Sequence, residues 1–363
     1  MTPFSTPQCR PPTDELAAYN YDLPDELIAR RPAARRDDAR LMIVNRTTEA
    51  VGHGSIRDLP GILRAGDCLV MNNTRVVQAR LLGCRLMTGG RWEGLFLDVA
   101  SSGEWRLLSQ CRGRLQPGER IGVHPAHAPA SVERLVLVLT SREDDGTWRA
   151  RPVPEIDHWA ALDRFGTIPL PPYMHRELAE AEDFERYQTV YAQHRGSVAA
   201  PTAGLHFTPE LLARCRDGGI AQAFVTLHVG LGTFRPITVD RLSDHRMHSE
   251  RCAIPDETAK RLRQTVACGG RRVAVGTTTV RALESAAQSG TLEAWQGATD
   301  LFIRPPYEFR AIDALLTNFH LPRSSLLVLV STLAGHELIQ HAYREAIRSR
   351  YRFYSYGDAM LII

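Results

Sequence analysis

The segment RRVAVGTTTVRALES carries the clearest arrangement of residues able to hold a ligand. It reads as a buried strand ending at Gly276, then Thr277, Thr278 and Thr279, then a helix. A helix start at the carboxyl edge of a sheet presents free N–H groups, which suit an anion or a nucleotide. The threonine hydroxyls there either cap the helix or reach a ligand. Arg281 and Glu284 share a face of the next turn and either grip a substrate or pair with each other. The segment VAAPTAGLHF (198–207) is a Pro/Gly loop whose backbone path is fixed, carrying Thr202 and His206. His206 has the chemistry of a general acid or base, and equally that of a structural hydrogen-bonder.

Further histidines follow. In TLHVGLGTF, period-two alternation puts Thr226 and His228 on one face of a strand. Gly230 and Gly232, next to Thr233, let a ligand approach the backbone. Arg-Pro follows where a dinucleotide-binding helix would begin, so this is not a dinucleotide fingerprint. SDHRMHSE groups His245, His248 and Glu250. No third or fourth ligand lies at a usual metal spacing, so a proton-transfer cluster is favoured over a metal site. His336, Glu337 and His341 resemble the metalloprotease H-E-x-x-H, but the histidines are five apart and diverge on a helix. NNTR (72–75) and TNFHLP (317–322), with Asn73, Asn318 and His320, lie in loops where asparagine either makes turns or reads a base or ribose. In YRFYSYGDAM most residues read as core, and Asp358 is the polar candidate.

Composition removes several alternatives. The chain has 363 residues, 44% of them hydrophobic, enough for two domains more comfortably than one. Lys260 is the only lysine, and it lies in what reads as an exposed amphipathic helix. A Schiff-base mechanism would have to use it. No Gly-Lys-Ser/Thr triplet exists, so P-loop nucleotide hydrolysis is excluded. Forty-four basic residues against 41 acidic give a formal charge of +3, compatible with a nucleic-acid partner without requiring one. The seven cysteines are scattered singly, without C-x-x-C, and read as reduced thiols of a cytoplasmic protein. The first residues lack a signal-peptide core, and SSLLVLVSTLAG is too short to span a bilayer.

These residues must be positioned by two kinds of architecture. Residues 1–18, rich in Pro and Thr, read as a disordered tail. IARRPAARRDDAR, with Arg30, Arg31, Arg35, Arg36 and Arg40, reads either as a surface turn held by Asp37 and Asp38 or as a phosphate patch. From 66 to 154, starting with CLVMN, short β-type runs separated by Gly/Pro turns predict a small antiparallel barrel. From 155 onward helices and strands alternate, with WAALDRFG and FERYQTVYAQ among the helices. The fold class is α/β, a main domain formed by 19–65 and 155–363 with an inserted barrel at 66–154.

Taken together, the blocks NNTRVVQARL, IPLPPY, RYQTVYA, GSVAAPTAGLHF, FVTLHVGLGTFRP, MHSE, VAVGTTTVRALES, TNFHLP and YRFYSYGDAM resemble the hallmark blocks of the S-adenosylmethionine:tRNA ribosyltransferase-isomerase family of queuosine biosynthesis. They run in the family's order from about residue 19 to the last residues. The resemblance implies an α/β domain with an inserted barrel and a monomer without a metal or a permanently bound cofactor. It implies S-adenosylmethionine as cosubstrate. The partner would be a tRNA with a GUN-type anticodon carrying 7-aminomethyl-7-deazaguanine, and the products epoxyqueuosine-tRNA, adenine and methionine. It places acid–base work among His206, His228, His245, His248, Glu250 and His320 without dividing the roles. It assigns the cosubstrate to Thr202, Gly230, Gly232, Thr233, Gly276, Thr277, Thr278, Arg281, Glu284, Asn318 and Asp358, with Glu250, Glu284 and Asp358 the candidate carboxylates to face the sulfonium. It assigns tRNA to Asn73, Thr74, Arg75 and Arg80. The chain departs from the family pattern at Met174–Arg176, at His194–Arg195 where Lys-Pro is usual, in RWEGLFL, and at Pro306. Two other classes are weighed against this one. A non-catalytic RNA binder would not need the histidine loops. A methyltransferase would need a glycine-rich loop after its first strand, which is not found.

Overall fold

The computed structural model describes residues 14–129, 132–230 and 237–363. Gly232 and Thr233 lie outside the described residues, as does most of the segment read as a tail. Residues 14–18 depart from that reading. Leu16 is fully buried, and Glu15 makes a β-bridge with Arg241, so apolar anchoring begins well before residue 19.

Nine strands form the main sheet, in the order Trp295–Thr299, Glu250–Ile254, Ala221–Leu227, Cys68–Asn72, Arg272–Val275, Ala314–Asn318, Ala359–Ile362, Arg40–Val44 and Val51–Ser55. Ala221–Leu227, Cys68–Asn72, Arg272–Val275 and Ala314–Asn318 are mutually parallel, and their carboxyl ends meet on one edge. The sheet is covered on both faces, as parallel strands require. Cys68 and Val70 join one core with Leu283, Val330 and Tyr343. Leu69 and Met71 join another with Leu211 and Leu212 of helix Pro209–Asp217.

The barrel closes through six antiparallel strands, because Arg80–Arg85 pairs with both Arg91–Val99 and Arg120–His124. Its alternation is plain in Leu135, Leu137 and Leu139, which point inward with Trp92, Trp105 and Trp148. Helix His158–Phe165, capped by the Asp157 carboxylate, buries Ala161, Leu162 and Phe165 against this core.

Two elements differ from the sequence reading. Cys68–Asn72 is not a barrel strand but a central strand of the main sheet. All five residues are buried, the signature of a two-sided parallel strand rather than of alternation. FERYQTVYAQ is not one helix. A single turn, Asp183–Arg186, is helical, and the chain then turns so that Gln188 bonds the backbone of Val76 as donor (2.8 Å) and as acceptor (3.0 Å). The arginine-rich segment is a braced surface turn. Arg31 pairs with Glu180 (2.6 Å), Arg35 with Asp37 (3.2 Å), and Arg36 and Arg40 donate to backbone carbonyls.

Candidate active site

A cavity of about 290 Å³ opens at the carboxyl ends of the parallel strands, where open α/β sheets place ligands. Helix Thr277–Ala286 begins there. Its N-cap is Gly276, held at φ +88 in the left-handed region that favours glycine, and no side chain caps it. The N–H groups of Thr277 and Thr278 therefore lack intrahelical partners at the cavity wall. The threonines do not cap this helix. Thr279 returns its hydroxyl to the Val275 carbonyl (2.7 Å), and Thr278 accepts from the Asn72 amide (3.3 Å). A second helix start, Ser325 after its cap Ser324, faces the same space.

The rest of the wall includes residues 199–203 of the Pro/Gly loop and two aromatic rings. Thr202 donates to the Asn318 side-chain oxygen (2.9 Å), and the Asn318 amide donates to the Tyr354 carbonyl (3.1 Å). Tyr173 and Tyr354 lie with centroids 4.1 Å apart. Burial raises the pKa of both phenols, so they remain uncharged. His320 Nε2 lies 2.9 Å from the Thr317 hydroxyl, and burial pushes this imidazole down to about 3. Among the described residues, no carboxylate, lysine or arginine lines the cavity.

A groove of about 710 Å³ runs between the barrel and the main sheet. One strip of backbone separates it from the cavity: His228 and Gly196 face the groove, Val229 and Ala199 the cavity. The strip is pinned where Val198 N–H donates to Val229 O (3.0 Å), Val229 N–H to the Ser197 hydroxyl (2.9 Å) and Gly230 N–H to Glu250 (2.9 Å). His228 packs on the bare α-carbon of Gly196, where a Cβ would come within 2.9 Å of the ring. Its Nδ1 is 2.8 Å from the Thr74 hydroxyl, which also lies 3.4 Å from the His194 carbonyl. In the tautomer with the proton on Nδ1, Thr74 accepts from it and Nε2 presents its lone pair, with no hydrogen-bond partner among the described residues. Burial, with Arg251 and His194 nearby, pushes His228 down to about 4.

The model of the queuosine biosynthesis protein family matches residues 16–362. The chain belongs to that family. It is 50% identical to the S-adenosylmethionine:tRNA ribosyltransferase-isomerase of Symbiobacterium thermophilum over 349 residues, 96% of this chain and 99% of the relative. It is 48% identical to the enzyme of that name from Nostoc, over 96% of this chain and 91% of the relative. The crystal structure of S-adenosylmethionine tRNA ribosyltransferase from Thermotoga maritima superposes with a TM-score of 0.55 at 36% identity, covering 95% of this chain and all of that one. The α/β architecture with a closed antiparallel barrel agrees with that structure.

Within this family member, the fold gathers Thr202, Gly276, Thr277, Thr278, Asn318 and His320 around the cavity and sets His228 on the adjoining groove. Other candidates are committed elsewhere. His206 does not line the cavity; each of its ring nitrogens lies against a backbone carbonyl, of Ala203 (3.1 Å) and Gly357 (2.9 Å). His245 meets the edge of Phe302, and His248 is exposed. Glu250 pairs with Arg281, so Arg281 and Glu284 do not pair with each other. Glu284 accepts from the N–H groups of Arg310 and Ala311 and from Tyr307. Asp358 accepts from the N–H groups of Arg40 (2.9 Å) and Arg352 (2.8 Å). These three carboxylates brace backbone rather than face the cavity. Asn73 is buried and accepts from Thr226 (2.7 Å), and Arg80 is paired with Glu93 (2.7 Å). Arg75 is exposed, with no ion pair among the described residues. Tyr173, Tyr354, Thr317 and Ser324 were not singled out from the sequence, although three of them lie in the quoted blocks.

The uncharged state of His320 carries a pH signature. Its folded pKa, about 3, lies below the unfolded value of about 6.5. Between those limits the unfolded chain binds more protons, so stability is full above about pH 6.5 and falls as pH drops toward 3. At pH 4.5 His320 alone accounts for on the order of 2–3 kcal/mol of lost stability. Denaturant midpoints at pH 7 and 4.5 will fall further in the wild type than in His320→Asn. Equal falls would mean that His320 already charges in the folded protein.

Proposed function

We propose that this chain is an S-adenosylmethionine:tRNA ribosyltransferase-isomerase. It would move the ribosyl group of S-adenosylmethionine onto 7-aminomethyl-7-deazaguanine in GUN-type anticodons, releasing adenine and methionine and forming epoxyqueuosine in tRNA. A cytoplasmic monomer suffices for this reading. The observation that carries it is the adjoining of a small cavity, lined among the described residues by no charged side chain, and an open groove that bears the His228 imidazole. For the new bond to form, the aminomethyl group must reach past the rim of the strip between them to the ribosyl carbon held in the cavity.

In the cavity, the unpartnered N–H groups of Thr277 and Thr278 suit the cosubstrate's carboxylate or ribose oxygens. The Tyr173–Tyr354 pair offers ring faces to the sulfonium or the adenine, in place of a carboxylate. The sulfonium acidifies the adjacent C5′ hydrogens, and its attraction to the faces of uncharged rings favours its entry beside them. In the groove, the aminomethyl nitrogen must attack as a free amine. The Nε2 of His228, unprotonated above about pH 4, is set to take the proton that this step releases. His320, held neutral, orients the cosubstrate by hydrogen bonding.

The test is a product assay with purified protein, S-adenosylmethionine and tRNA bearing the aminomethyl-deazaguanine, read by mass spectrometry. One adenine and one methionine should appear for each tRNA that gains the epoxycyclopentane mass. S-adenosylhomocysteine instead would identify a methyltransferase, and bound but unmodified tRNA a binding protein.

A further inference from the structure

A ladder of flat groups crosses the groove. Phe96 is buried in the barrel core, its ring edge-on to Trp105 at 5.3 Å. The His158 ring stacks on Phe96 at 6.0 Å and 19°. Trp159 follows at 4.4 Å from His158, and the Arg195 guanidinium lies 4.9 Å over the Trp159 ring. Phe96, His158, Trp159 and Arg195 line the groove, and Asp98, the one acid among the described residues that line it, is neutralised by Arg106 (2.8 Å). The ladder begins in a rigid core and ends at an exposed cation held in place by Asp163. Trp159 is only half-buried.

We propose that Trp159 and Arg195 form a stacking platform for an unpaired anticodon-loop base next to the one being modified. This rests on the reading of tRNA as substrate. Unpaired RNA bases are recognised by stacking on aromatic rings and guanidinium planes, and a cation above the ring adds attraction to the neighbouring phosphate. The platform sits on the groove that also holds His228, so a base seated there would fix the position of its neighbour relative to Nε2. A hydrophobic protein contact would not call for an arginine laid over the tryptophan, and a simple phosphate contact would not call for the rings.

The experiment is a binding titration with anticodon stem-loop RNAs carrying 2-aminopurine at each loop position in turn. In the wild type, fluorescence is quenched at a position flanking the wobble base. Trp159→Ala removes that quench and weakens binding about tenfold or more, whereas Trp159→Phe keeps most of both. Arg195→Ala, which leaves the barrel core intact, weakens binding severalfold. In turnover, Trp159→Ala lowers kcat/KM for the stem-loop about tenfold or more, with kcat falling as well as KM rising. No quench at any position, or a quench that survives in both alanine variants, overturns the platform. Because the titration needs no turnover, a wild type that quenches but releases no adenine would overturn the transferase reading and leave the platform standing.

Discussion

Replacing His228 by alanine should lower turnover by about 10²–10⁴-fold, the usual range for a positioned proton acceptor. The KM for S-adenosylmethionine should move less than threefold, because the ring faces the groove and not the cavity. Thr74→Val tests the same assignment from behind. It removes the acceptor for Nδ1–H and frees the ring to take the other tautomer, so a smaller loss, about tenfold, is expected. The acid limb of wild-type kcat should then lie near pH 4 rather than near 6.5, since burial and Arg251 hold the imidazole down. Single-turnover rates of the three proteins between pH 4 and 9 decide the matter. A His228→Ala enzyme within threefold of wild type would move the proton acceptor elsewhere, with His320 next in line.

The second large effect is on stability. Glu250 and Arg281 are both almost fully buried and paired, and Arg281 also donates to the Leu301 carbonyl (3.1 Å). Removing one half of this buried ion pair costs about 3–5 kcal/mol. Arg281→Met and Glu250→Gln should each lower the unfolding free energy read from urea titration by that amount. The double variant should cost clearly less than the two losses added. Additive losses would mean that the two side chains stabilise the fold independently. Because Glu250 also holds Gly230 N–H, its loss slackens the strip that carries His228, and activity should fall at temperatures where the protein is still folded.

What the sequence disclosed and what it hid follow from the range of the interactions involved. The strand-then-helix reading of RRVAVGTTTVRALES held because its signals are local: a buried run, a glycine and a helical face. The gathering of Thr202, Asn318 and His320 followed from their blocks lying at strand ends. The aromatic pair was hidden because Tyr173 and Tyr354 meet only in three dimensions, as was the brace of Gln188 against Val76. The carboxylates misled for a different reason. Glu250, Glu284 and Asp358 look like ligand groups in sequence, but Glu284 and Asp358 accept from backbone N–H groups, and Glu250 from Gly230 N–H and Arg281, partners that nothing local identifies. CLVMN misled because a short buried run followed by turns is common to barrels and parallel sheets.

The order of strands in the main sheet also governs how the chain can fold as it leaves the ribosome. The Arg40–Ser55 hairpin joins the sheet only through Ala359–Ile362, the strand between it and Ala314–Asn318. During synthesis that hairpin therefore waits, with one edge unpaired, until the far downstream strand has been made. A nascent chain stalled in the last helix would carry a finished barrel beside an open sheet edge, the form most prone to pair with another chain.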